Sequence, residues 1–148
     1  LTDKRPSQQW RTKMQNNLQE LSLILNEMST DEGTTFEAVF VDDEILEVTC
    51  SNNDEFSIHV VMTKKQILTV TPLFSADEVP TGKVNELNSL LLRVSPAVPL
   101  SSVGLQDNNY ILFGAMSVNT TIENIAHELE VQAENTIDVL ETISPLLK

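Results

Sequence analysis

Residues 36–74 read FEAVFVDDEILEVTCSNNDEFSIHVVMTKKQILTVTPLF, and this stretch decides the fold. Phe36, Ala38 and Phe40 alternate with Glu37, Val39 and Val41; Phe56, Ile58, Val60 and Met62 then repeat the pattern. Ile67, Thr69, Thr71 and Leu73 alternate in turn with Leu68, Val70, Pro72 and Phe74, and residues 45–50 form a further run. A period of two sends successive side chains to opposite faces and marks half-buried strands. The four runs are separated by Asp42-Asp43, by residues 51–54 and by Lys64-Lys65. Connections this short join antiparallel neighbours, because a parallel crossover needs about a dozen residues. Pro72 has no N–H to give to a ladder, so the fourth strand is expected to end there or to lie at an edge.

Outward from this core the period changes. Upstream, Trp10, Met14, Leu18, Leu21, Leu25 and Met28 step by three or four and predict an amphipathic helix from residue 8. It stops at the turn-forming cluster Ser29-Thr30-Asp31-Glu32-Gly33, and residues 1–7 read as a loose tail. Downstream, Val84, Leu87, Leu91 and Val94 predict a helix over 83–94, with Thr81 as its N-cap and Pro96 as its stop. Two strands, near 102–106 and 110–117, are joined by Asp107-Asn108-Asn109, residue types that tolerate positive φ. In a last helix, Thr120 to Glu123 matches a capping box, and Ile122, Ile125, Ala126, Leu129, Ala133, Ile137, Leu140 and Ile143 form the apolar stripe as far as Pro145. The predicted architecture is one α+β domain over 8–148, an antiparallel sheet in the order α-ββββ-α-ββ-α with helices packed on it.

The chain carries 22 acids against 9 bases, a net charge of −13. Four of the bases, Lys4, Arg5, Arg11 and Lys13, fall in the first thirteen residues, so the remainder is more acidic still. Such a surface repels phosphate backbones and anionic lipid, which argues against a nucleic-acid partner and against direct membrane insertion. No apolar run approaches the ~20 residues of a membrane span, and no secretory pattern opens the chain, so a cytoplasmic location is expected.

Candidate chemistry is sparse. Cys50 is the one cysteine, with Glu47, Asp54 and Glu55 nearby to disfavour a thiolate. His59 is placed on the outer side of its strand and His127 beside the stripe of the last helix; neither has metal-ligand spacing. Asp42-Asp43-Glu44 and Asp54-Glu55 read as hairpin turns, since the glycine and terminal Glu of a calcium loop are absent. The four glycines form no phosphate cradle. No catalytic residue, cofactor site or metal site is predicted. The one residue set that suggests a contact surface is the acidic side of the last helix: Glu123, Glu130, Glu134, Asp138 and Glu141. Without Lys or Arg partners at i+4 these acids weaken the isolated helix. They form either a partner-binding face or an ordinary solvated one.

Three stretches of the second half resemble a bacterial family, the YjfI-like proteins: residues 99–105, residues 110–117, and Ile122 to Ile125 followed by Leu129-Glu130 and Ala133-Glu134-Asn135. These motifs are structural and transfer no catalytic residue. The resemblance implies a setting in envelope stress, since such proteins are typically encoded beside a homologue of phage-shock protein A, a coiled-coil membrane-stress protein. The element order is also similar to that of type III secretion chaperones and their YbjN-like relatives, which implies a homodimer that binds partner segments without chemistry. The longer four-strand run before the middle helix departs from that chaperone pattern. The functional expectation is therefore a non-catalytic adaptor with a protein partner, a phage-shock protein A-like one by resemblance. The alternatives are a chaperone for an export substrate, and a small-ligand binder or enzyme with an unrecognised site.

Overall fold

The computed structural model describes residues 17–147. Trp10 and Met14 of the first predicted helix, and the 1–7 tail, lie outside those residues. Helix α1, Leu18–Glu27, starts at Asn17, whose Oδ1 accepts from the N–H groups of Gln19 at 2.8 Å and Glu20 at 3.4 Å. This N-cap satisfies donors that the first turn leaves open. Its Leu21 and Leu25 are fully buried. A turn with Gly33 at φ 90° returns the chain to β1, Phe36–Asp42.

Strands β2, Ile45–Cys50, β3, Asn53–Met62, and β4, Gln66–Ser75, follow as a meander. Helix α2, Val84–Val94, then leads to β5, Ser102–Gln106, and β6, Asn109–Ser117, before the long α3, Ile122–Ile143. The six strands form one antiparallel sheet in the order β1-β2-β3-β4-β6-β5. The predicted α-ββββ-α-ββ-α order and the α+β class hold. Because β6 takes the place beside β4, the hairpin turns β5 outward and makes it an edge. Asp107 supplies the positive φ, 53°, that the β5–β6 turn requires.

Two local expectations are corrected. The helix α3 is capped by Thr121, which accepts from Asn124 N–H at 3.2 Å, one residue later than the predicted box. Helix α2 begins after Lys83, and no side chain caps it. Of the alternatives for Pro72, the strand end fails, since β4 continues to Ser75, and the edge holds. The last β3–β4 pair is His59 with Val70, so Pro72 lies where β4 has β6 on one side and no ladder on the other. Its missing N–H therefore costs no ladder bond.

The three helices of the described residues cover one face of the sheet. Under α1 and the first half of α3, an apolar cluster holds Leu46, Val48, Ile58, Val60, Ile67 and Leu129. A second cluster joins α2 and the end of α3 through Leu73, Leu87, Leu91, Leu112, Val139 and Ile143. A polar seam runs between them. Gln132, 2 % exposed, accepts at Oε1 from the Thr69 hydroxyl at 2.7 Å and donates from Nε2 to the Thr71 hydroxyl at 2.9 Å. Gly114 makes room for the seam: a Cβ there would stand 3.1 Å from Thr69 Oγ1 and 3.3 Å from Gln132 Oε1.

Candidate functional site

The two edges of the sheet differ. At β1 the Asn26 side chain of α1 donates to Ala38 C=O at 3.0 Å and accepts from Ala38 N–H at 2.8 Å. One amide thus imitates a neighbouring strand and blocks the middle of that edge. Charged Glu37 and Asp42 and a bulge between Phe40 and Asp42 add further obstacles to strand pairing.

At β5 the edge is open. Val103 N–H points outward to the Ser95 hydroxyl at 3.0 Å, so Val103 and Leu112 form a non-hydrogen-bonded pair. Alternation along the ladder makes Leu105 and Tyr110 another such pair. The N–H and C=O of Leu105 therefore point away from the sheet and meet no partner among the described residues. Beside them lies a cleft of about 200 Å³ lined by Asn88, Leu91, Leu92, Val103, Gly104, Leu105 and Tyr110. The Tyr110 hydroxyl is held by Asn88 Oδ1 at 2.6 Å, which leaves the lining apolar toward solvent. Leu92 is 74 % exposed and Leu105 56 %. A strand with free backbone groups and no charged residue, next to exposed leucines, is the arrangement that strand addition uses.

Among the described residues the other sheet face carries no helix. Cross-strand registers place Val39, Glu47, His59, Val70, Phe113 and Ser102 in one row, with Val61, Leu68 and Ala115 in the row on one side. Pro72, Ile111 and Gly104 lie in the row on the other side, where the Phe113 ring covers Gly104. His59 Nε2 stands 3.4 Å from Glu47 Oε2, which confirms the outward placement expected for His59.

The acidic residues of α3 separate into two groups. Glu123, Glu134, Asp138 and Glu141 are exposed. Glu130 is not on that side: it is 4 % exposed and accepts from the Thr30 hydroxyl at 2.6 Å. It lies four residues after Ala126 and three before Ala133, both buried, so helical spacing puts it on the covered stripe under the 29–34 turn. Ile137 of the predicted stripe is in turn 40 % exposed, because Thr136 and Val139 take the inward positions.

The candidate reactive groups are quiet. Cys50 is 1 % exposed, and its Sγ donates to Leu129 C=O at 3.7 Å. Burial, and then the Glu130 carboxylate, push its pKa up to about 12. Glu128 has its carboxyl raised by burial, against the opposing effects of the Asn124 amide at 3.0 Å and of His127. Among the described residues no group of three His, Cys, Asp or Glu side chains is arranged to hold a metal. Nor is any helix there long and apolar enough to cross a membrane. Asparagines that sequence patterning passed over tie the site's scaffold to α3. Asn52 and Asn53 donate to Glu130 C=O at 3.0 Å and Ala133 C=O at 3.1 Å, and Asn135 donates to Pro99 C=O at 2.7 Å, just before β5.

An antiparallel sheet helix-covered on one side, with one edge plugged and one open, defines an α+β protein of the type III secretion chaperone-like fold class. The chain belongs to the bacterial family described as "Uncharacterized protein conserved in bacteria (DUF2170)", whose model matches residues 15–147. It is 31% identical over 91 residues to the uncharacterized protein YjfI of Escherichia coli K12, covering 59% of this chain and 67% of YjfI. Among solved structures it is similar to YbjN from E. coli, with TM-score 0.60 and 17% identity over 87% of this chain and 93% of YbjN. It is also similar to one chain of the heterodimeric ExoU–SpcU complex from the type III secretion system of Pseudomonas aeruginosa. There the TM-score is 0.55 and the identity 16%, over 70% of this chain and 86% of that one.

Proposed function

We propose that this protein is a non-catalytic binding module, cytoplasmic and homodimeric, that receives an extended segment of a protein partner along β5. The observation that carries the reading is the asymmetry of the sheet edges: Asn26 closes β1, while Leu105 leaves both backbone groups free beside Leu92. An incoming strand pairs with Leu105 and places an apolar side chain in the cleft. The exposed acids Glu123, Glu134, Asp138 and Glu141 favour a partner with basic flanks and speed its approach. The resemblance drawn from the sequence makes a phage-shock protein A-like protein the first partner to try, in an envelope-stress setting.

The test is calorimetry and light scattering with that coiled-coil protein, using wild type, Leu105→Pro and Leu92→Asp. Proline at 105 removes an N–H that no β5–β6 bond uses, so the fold is expected to survive. Micromolar or tighter binding that falls at least tenfold in both variants is the expected result. Binding that ignores both substitutions removes β5 as the site, and no complex at micromolar concentrations removes the phage-shock assignment. Capture of an unfolded export segment by β5, without the coiled-coil protein, would favour the secretion-chaperone alternative, which the likeness to a chain of the ExoU–SpcU complex supports.

A further inference from the structure

The helix-free sheet face is a second surface, separate from the β5 edge. Solvated antiparallel faces ordinarily alternate to polar residues. Here the central strands put Val61, Leu68, Val70, Ile111, Phe113 and Ala115 on that side. Three cross-strand rows at about 6.8 Å and six strands at about 4.8 Å give a face of about 600 Å² in plan. Side-chain relief brings its accessible area toward the roughly 800 Å² that each partner contributes to a stable interface.

Charge selects the occupant. The chain carries −13, yet in these three rows the acids Glu37, Asp42 and Glu47 all lie on β1 and β2, with His59 against Glu47 at 3.4 Å, and β3, β4, β6 and β5 carry none. Over β3, β4, β6 and β5 a basic partner finds nothing acidic here to complement. Two copies of the chain repel each other across most orientations, but a two-fold pairing of this face centred between β3 and β4 sets the β1–β2 acids of one copy over the acid-free β6–β5 side of the other, without juxtaposing like charges. We propose that the helix-free face packs on the same face of a second copy, forming a two-fold sandwich of sheets about 10 Å apart. This names the surface of the homodimer read above; it leaves β5 free for the partner segment, so either reading can fail without the other.

The experiment is light scattering of the full chain over a dilution series, with Ala115→Glu and Val39→Glu as face variants and Leu105→Pro as the edge control. Ala115 and Val39 are exposed, so a folded monomer tolerates both substitutions. A wild-type dimer that the edge control retains, with dissociation constants raised at least tenfold in both face variants and unchanged circular dichroism, is expected. A wild-type monomer at micromolar concentration overturns the proposal. So does a dimer lost in Leu105→Pro but kept in Ala115→Glu and Val39→Glu, which would place the contact at β5. Hydroxyl-radical footprinting is the second readout: Phe113 is protected in the dimer and labelled on dilution. Protection that persists in a monomer overturns the proposal in favour of cover by the chain itself.

Discussion

Replacing Gln132 by Leu tests whether the seam between the two apolar clusters is held by its hydrogen bonds. The side chain is 2 % exposed, and Thr71, which accepts from Gln132 Nε2 at 2.9 Å, is fully buried. Leu is of similar bulk, so packing changes little, while the Thr71 hydroxyl loses that bond. The Thr69 hydroxyl keeps only its long bond to Gly114 C=O at 3.3 Å. An orphaned buried polar group costs about 1–3 kcal/mol. One full and one partial loss, offset by about 1 kcal/mol from the added apolar burial, give a net destabilisation of about 2–3 kcal/mol. For a chain of this size that lowers Tm by about 5–10 °C. Urea unfolding followed by circular dichroism reads the change as a lower midpoint at unchanged slope. The triple variant Gln132→Leu, Thr69→Val, Thr71→Val removes the partners as well and is expected to recover to within about 1 kcal/mol of wild type. A triple variant no more stable than Gln132→Leu alone would refute the reasoning, since orphaned hydroxyls would then not be the source of the loss.

Two further outcomes follow from the same geometry. Cys50 is expected to resist alkylation at pH 8 in the native protein and to react at once on unfolding. Its folded pKa of about 12 stands above the ordinary 9.0, so the stability it contributes is complete below pH 9 and is lost as the pH rises toward 12; alkaline titration of the unfolding midpoint checks this sign. Asn26→Ala uncovers Ala38 on β1 and should cost about 0.5–1.5 kcal/mol while adding a second receptive edge, seen as concentration-dependent association in light scattering.

Much of the scaffold was legible because period two over residues 36–74 and helical spacing on either side are strong local signals. Helix starts were less so: Thr120 and Thr121 are adjacent hydroxyls, and only geometry chose the second. Of the two alternatives for Pro72, a strand end or an edge, topology decided for the edge. Whether a strand position lacks a neighbour depends on where its partner stops pairing, which no local pattern records. The same holds for the candidate site. β5 is an edge because β6 lies against β4, and Leu105 is free because the ladder alternates outward there. The acidic set was partly legible. Glu123, Glu134, Asp138 and Glu141 are exposed as expected, whereas Glu130 is covered. Its spacing from Ala126 and Ala133 carried the signal, but a carboxylate reads as solvated until a Thr30 hydroxyl is found above it. Gln132, Asn135 and Thr136 were passed over likewise, being polar residues at apolar spacing.

The insertion of β6 between β4 and β5 also bears on how the sheet assembles. Strands β1 to β4 pair with their sequence neighbours, so each hairpin closes a short loop. The β4–β6 ladder instead joins Gln66 to Ser117 and Ser75 to Asn109 across α2 and β5. Loop-closure entropy falls most heavily on that one step. The meander therefore has its local contacts in place before the β5–β6 hairpin docks. The β5 edge and its cleft are expected to arrive as a late, separately closing unit, able to loosen while the first four strands stay paired.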